Sequence, residues 1–185
     1  MKLKTFFGVL ACTIFAGCSS MQMEDFAGTT PEFVPQKYFN GHLRAYGIVK
    51  GMDGKIIKSF KGDLVGSWDA KGVGTLDEHF LYSDGTKQHR VWTLRPTHEA
   101  KTFMGTAGDI VGEAPMVANG NTVMLDYTMR VPYKDSTIDI NVRDWLHLVQ
   151  DGVIINHSKM KKFGFQVGEL VITIIKDPEN ENRLN

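Results

Sequence analysis

The residues whose types and spacing are best suited to chemistry are Glu78 and Arg90. Both lie in stretches that alternate as β-strands do. Leu76, Glu78, Phe80 and Tyr82 share one face, and Gln88, Arg90, Trp92 and Leu94 share a face of the next stretch. A three-residue loop, Ser83-Asp84-Gly85, with Gly85 in the left-handed bulge position, pairs Tyr82 with Thr86. That register sets Glu78 opposite Arg90 and Leu76 opposite Trp92, and the apolar members carry the charged pair inward. A buried carboxylate and guanidinium must pair, because either alone is strongly unfavourable. Two roles fit such a pair: fixing the core, or anchoring the polar head of an amphipathic ligand in an otherwise apolar cavity.

A second constellation is Arg143-Asp144-Trp145 with His147, followed by Asn156-His157-Ser158. In a strand, Arg143, Trp145 and His147 share one face while Asp144 lies with Val142 and Leu146 on the other. Trp145 is expected either to fill the core or to line the cavity beside Glu78, Arg90 and Trp92, with Asp144 and Asn156 as further ligand contacts. Arg130 falls on the Met124, Asp126 and Thr128 face, outside, and Asn121 reads as a turn residue after Gly120. Lys159-Met160-Lys161-Lys162 is the one basic cluster, either a solvated rim or a contact for anionic lipid head groups.

Signatures of catalysis are thin. There is no Gly-x-Ser-x-Gly, no glycine-rich phosphate loop before a helix and no His-Glu-x-x-His. His79, His89, His98, His147 and His157 fall on different strands with no metal-ligand spacing, so no metal is expected. His89 and His147 are the candidates for an axial haem ligand inside a barrel, but no cofactor is expected. Glu78 and Asp144 could act as an acid/base pair only if the fold brings them together. No catalytic residue is assigned.

The elements that must position these residues are strands. After Gly41 no stretch keeps a 3.6-residue period; ten alternating segments follow, at about 42–51, 55–66, 73–82, 87–96, 101–108, 109–118, 121–132, 136–149, 152–160 and 167–176. Asp53-Gly54, Lys71-Gly72, Asp84-Gly85, Asn119-Gly120 and Asp151-Gly152 separate strands as tight turns. The expected fold is all-β, an antiparallel up-and-down barrel of about eight to ten strands, with a flat sandwich as the alternative. Gly74, Gly105, Gly108, Gly112, Gly164 and Gly168 sit in or beside strands, as points of curvature or of close ligand approach. Thr30-Pro31 reads as the start of one short N-terminal helix, closed by Asn40-Gly41.

Composition bounds the rest. The 185 residues are 42% hydrophobic and 23% charged, with 21 basic and 21 acidic groups and two cysteines. One globular domain with no pull toward nucleic acid is expected, and a disulfide scaffold is excluded. Lys2 and Lys4 precede the apolar run Thr5–Phe15, too short to span a membrane but suited to a secretory leader. Ala16-Gly17-Cys18 then resembles a bacterial lipobox, with Phe15 in place of the usual Leu. That reading makes residues 1–17 a signal peptide, Cys18 the acylated residue, 18–30 a lipidated tether and 31–185 the barrel domain. It removes Lys2 and Lys4, so 19 basic groups face 21 acidic ones. Ser19, rather than Asp, by resemblance to sorted lipoproteins implies the periplasmic face of a Gram-negative outer membrane.

Several separated segments carry a wider resemblance: Tyr38-Phe39-Asn40-Gly41, Glu78–Gly85, Arg90–Leu94, Asp144-Trp145 and Asn156–Gly164. Over about residues 31–176 the chain resembles the bacterial lipoproteins grouped as domain of unknown function 3833. The resemblance implies a lipocalin-like fold with no established activity, and a neighbourhood of fatty-acid-modifying genes that implies a role with lipid. Glu78, Arg90, Trp92, Asp144, Trp145 and Asn156 match the family pattern. Arg143 stands where that pattern often has a second Asp, which weakens a paired-acid site. Three functions remain open: a lipid-anchored periplasmic protein holding a fatty acid such as palmitate or another lipophile; a structural or assembly lipoprotein with a filled barrel and a protein partner; and a lipid-modifying enzyme, which needs a carboxyl of raised pKa in an open pocket.

Overall fold

A computed structural model describes residues 20–176; residues 1–17, Cys18 and the expected acylation lie outside the described residues. Eleven strands follow one short helix, α1 (Pro35–Tyr38). They are β1 (Gly41–Gly51), β2 (Ile56–Trp68), β3 (Gly74–Tyr82), β4 (Lys87–Pro96), β5 (Thr102–Thr106), β6 (Ile110–Val111), β7 (Ala114–Asn119), β8 (Thr122–Tyr133), β9 (Ser136–Gln150), β10 (Val153–Lys162) and β11 (Phe165–Lys176). Ten pair antiparallel in the order β8-β7-β5-β4-β3-β2-β1-β11-β10-β9, and β9 returns to β8, closing the barrel. The remaining strand, β6, adds to β8 at Met129 and Thr128. The expected strand over 109–118 is therefore two, because Gly112, at φ +75°, turns the chain between them.

Alternation fills the barrel. Along β9, Ile140, Val142, Leu146 and Leu148 are buried, and along β3, Leu76, Glu78 and Phe80 are buried, while most intervening residues are exposed. The two ends differ. At one end, Phe33, Tyr38 and Phe39 close the bottom and are nearly fully buried. Phe33 N–H donates to the Gly120 carbonyl, Tyr38 hydroxyl to Asp151, and Trp68 Nε1 to the Phe39 carbonyl. This plug sits against Gly66, where a Cβ would lie 1.7 Å from the Phe39 oxygen, so only glycine allows the approach. The helix begins at Pro35 rather than at the expected Pro31. Residues before it run extended so that Phe33 can reach the Gly120 turn.

At the other end lie the hairpins β1–β2, β3–β4, β8–β9 and β10–β11. Inward-facing residues near it, among them Val49, Tyr82, Val131, Ile138 and Met160, are only partly buried. Solvent thus reaches the interior from the hairpin end and not from the plugged end. Of the expected tether, residues 20–30 lie along the outside of the barrel. A 3-10 turn at Met23–Phe26 places the Phe26 ring 5.9 Å from Trp145 and 5.3 Å from His147, and Asn119 Nδ2 donates to the Met23 carbonyl.

Candidate ligand site inside the barrel

Two of the tight turns bring the site together. The Ser83-Asp84-Gly85 loop forms as the sequence requires: Gly85 has φ +84° and Tyr82 N–H donates to the Thr86 carbonyl at 2.9 Å. Leu76 then pairs with Trp92 and Glu78 with Arg90. Arg90 Nε donates to Glu78 Oε2 at 2.7 Å, and its guanidinium lies 5.3 Å from the Trp92 ring. The Asp151-Gly152 turn sets Ser158 opposite Asp144, and Asn156 opposite Leu146, on the inner faces of β10 and β9.

These side chains form a polar belt at mid-height. Tyr127, from β8, donates its hydroxyl to Asp144 Oδ2 at 3.0 Å, and Ser158 donates to Asn156 Oδ1 at 2.8 Å. Asp109, just before β6, lies 3.6 Å from Arg90 Nη1 and accepts from Gln88 Nε2 at 3.3 Å. Beside the belt is a cavity of about 110 Å³, walled by Leu64, Leu76, Trp92, Leu125, Leu146 and Ile172 among others. That is close in size to an engineered apolar cavity of ~150 Å³ that takes benzene, and below the ~300–1,000 Å³ of drug-sized sites.

The belt holds three carboxyl groups, Glu78, Asp109 and Asp144, around a single guanidinium, Arg90. Burial pushes the Glu78 carboxyl above its ordinary range, opposed by the Arg90 charge. Burial also raises Asp144, against the nearby Ser158 and Tyr127 hydroxyls and the Arg90 charge. The Tyr127 phenol is pushed well above its usual value by burial and by Asp144. Asp144 Oδ1 and Asp109 Oδ1 are buried without a hydrogen-bond partner. Asp144 stands in the cavity wall, whereas Asp109 meets the cavity lining only through Arg90; a buried acceptor left unmet is costly.

Glu78, Arg90, Trp92, Asp144 and Asn156 all border this cavity. Trp145 does not, which corrects its expected place as a cavity residue. Val142, Asp144 and Leu146 take the inner face of β9, so Trp145 is turned outward, where Phe26 covers it. His147 shares that outer face, accepting or donating at Thr122 Oγ1 over 2.8 Å, and His89 is on the outer face of β4. Neither points into the barrel, so the two candidate axial haem ligands are removed. Burial, with His157 nearby, holds His147 below its ordinary pKa. The register does bring together two histidines that sequence spacing left apart. The His79 and His89 rings stack at 4.2 Å on the outer surface, and both Nε2 atoms meet Asp77 Oδ1, at 3.1 and 2.8 Å. Their ligand atoms lie within 4.8 Å of one another, close enough to share a metal ion, on an exposed face away from the cavity.

Tyr127 and Asp109 are not singled out by the sequence, and Ser158, part of the second constellation, is given no contact of its own there. Tyr127 had a signal, since it alternates with Leu125 and Met129 on the inner face of β8. Of the strand glycines, Gly74 carries the Trp68 ring and Gly105 the Trp92 ring, so they serve packing.

Comparison with known proteins agrees with this fold. A family model described as "Protein of unknown function (DUF3833)" matches residues 12–176. No curated protein matches the chain. Among solved structures, the S-type phycobiliprotein lyase CPES from Guillardia theta superposes with a TM-score of 0.57 at 11% identity, over 85% of this chain and 93% of that one. At that identity the likeness concerns the fold.

Proposed function

The chain belongs to the DUF3833 family, and from that premise we propose that it binds a slender lipophilic molecule with a hydrogen-bond-donating head inside the barrel. The observation that carries this reading is Asp144 Oδ1, a buried acceptor without a hydrogen-bond partner, in the wall of a cavity lined mainly by apolar side chains with Glu78, Arg90, Tyr127, Asn156 and Ser158 as its polar belt. A likeness in fold to a lyase whose name specifies a phycobiliprotein is compatible with it, since closed barrels of this kind hold small ligands.

The charge balance refines the ligand class. Arg90 is already matched by Glu78 and faces Asp109 as well, so a fatty carboxylate would add a fourth acid to one cation. An alcohol, an amine, an amide or a fatty acid in its protonated form instead supplies the missing donor. The cavity admits a ring or a short stretch of chain, with the remainder running past Met129 and Leu170 toward the hairpin end. In this reading Cys18 is acylated, and the barrel handles its ligand at the periplasmic face of the outer membrane; the leader and lipobox residues support that placement.

Displacement of a neutral fluorescent lipophile, N-phenyl-1-naphthylamine, tests the proposal. Decanol is expected to displace it at neutral pH at least tenfold more effectively than decanoate, and Ile172→Trp, which fills the lumen, is expected to abolish uptake. The small size of the cavity favours a second reading, a filled-barrel assembly lipoprotein. In that case the probe stays unbound, and Ile172→Trp changes nothing.

A further inference from the structure

Seven large apolar side chains among the described residues are more than half exposed, and six of them stand at the hairpin end: Met52, Ile56, Ile57, Tyr133, Phe163 and Phe165. Phe163, Phe165 and Met52 are 86%, 77% and 76% exposed. They belong to three hairpins, two of which are neighbours through the β1–β11 pairing, where Gly51 faces Gly168. Phe163 and Gly164 are the two central residues of the β10–β11 turn, both at positive φ, +51° and +82°. Such a turn favours Asn-Gly, and an aromatic residue there is strained. An aromatic ring held at a strained hairpin tip and presented to solvent contributes nothing to the barrel's own packing.

Charge accompanies the apolar tips. The β10–β11 hairpin has Lys159, Lys161 and Lys162 against a single acid, Glu169, which is already bonded to Lys50 at 2.9 Å. Lys159 and Lys161 are exposed and make no ion pair among the described residues. Lys162 Nζ lies 4.8 Å from the Phe163 ring, and Lys134 Nζ 5.5 Å from the Tyr133 ring. Aromatic rings beside ammonium groups suit the boundary between acyl chains and phosphate head groups. Residues 20 and 21 share a surface groove with Asn141 and Lys161, nearer this end than Phe26.

We propose that the hairpin end docks on an anionic phospholipid bilayer, with Phe163, Phe165, Met52 and Ile57 entering the interface and Lys159, Lys161 and Lys162 meeting the head groups. The open end of the barrel then faces the lipid while the plugged end faces away. This adds a membrane orientation to the ligand-binding reading, but its test does not depend on a ligand. The full chain, with Cys12→Ser and Cys18→Ser, carries an environment-sensitive fluorophore either at Phe163→Cys or, at the plugged end, at Lys71→Cys. Vesicles of phosphatidylcholine with phosphatidylglycerol are expected to brighten and blue-shift the label at 163 several-fold more than at 71. Pure phosphatidylcholine should do so weakly. Replacing the three lysines by Gln is expected to weaken vesicle partitioning by roughly tenfold or more.

Phe163→Asn supplies a second arm, since Asn accepts the left-handed backbone and folding is not at risk. It should fold at least as well yet partition less. Equal responses at 163 and 71, no response at either, partitioning indifferent to the lysines, or a 163 signal that grows with protein concentration in the absence of vesicles would overturn the proposal, the last by pointing to self-association. Lipophile uptake measured without vesicles reports on the cavity alone, so the two proposals fail separately.

Discussion

Arg90 Nε donates to Glu78 Oε2 at 2.7 Å across the β3–β4 pair, with both side chains enclosed by the barrel. Neither charge can be removed alone without stranding the other. Arg90→Leu is expected to cost ~3–5 kcal/mol, because Glu78 and Asp109 lose their shared cation. The double variant Glu78→Leu/Arg90→Leu should recover most of that loss. Chemical denaturation of the two singles and the double checks this; an additive double would mean the pair is not coupled.

Asp144 is a buried carboxyl that accepts from the Tyr127 hydroxyl and forms no ion pair among the described residues. Its folded-state pKa is raised, so its favourable contribution is fully present below the unfolded value of about 3.9 and is lost as pH rises through the folded pKa. Asp144→Asn keeps an acceptor for the Tyr127 hydroxyl and removes the charge. It is expected to stabilise the barrel by on the order of 1–2 kcal/mol at pH 7.5 and to have a much smaller effect near pH 3.5. Thermal melts across that range measure it.

The plug depends on one glycine. A Cβ at position 66 would meet the Phe39 carbonyl at 1.7 Å, and backbone cannot yield as a flexible side chain can. Gly66→Ala should therefore unseat Phe39 and cost more than about 2 kcal/mol, with faster hydrogen exchange in residues 33–40. Gly105→Ala, which meets the Trp92 ring at 3.1 Å, should cost less.

The two tryptophans separate inside from outside. Trp145→Ala is expected to release residues 20–30, seen as faster proteolysis there, while lipophile uptake stays unchanged. Trp92→Leu should weaken uptake by roughly tenfold, about 1.4 kcal/mol, with residues 20–30 still protected.

Much of this geometry is legible in the sequence because tight turns fix register. Once Asp84-Gly85 sets Tyr82 against Thr86, the Glu78–Arg90 and Leu76–Trp92 pairs follow, and alternation turns them inward. The same logic yields two faces for β9 but does not choose between them. One face offers Arg143, Trp145 and His147 and the other Val142, Asp144 and Leu146, so each mixes a charge with apolar groups, and in the structure Phe26 covers the outer Trp145 and His147. Asp109 is illegible for another reason. Its place beside Arg90 depends on two-residue β6 joining β8, a pairing too short to leave a period. The small helix starts four residues later than its first proline suggests, because Pro31 and Pro35 offer the same local start and only the docking of Phe33 distinguishes them.

Native mass spectrometry with solvent extraction, on the chain purified without added lipid, tests the central claim most directly. A slender lipophile bearing a donor head is expected to co-purify with the wild-type protein and to be absent from the folded Ile172→Trp variant. An empty wild-type protein that also takes up neither decanol nor N-phenyl-1-naphthylamine would contradict a ligand-binding barrel.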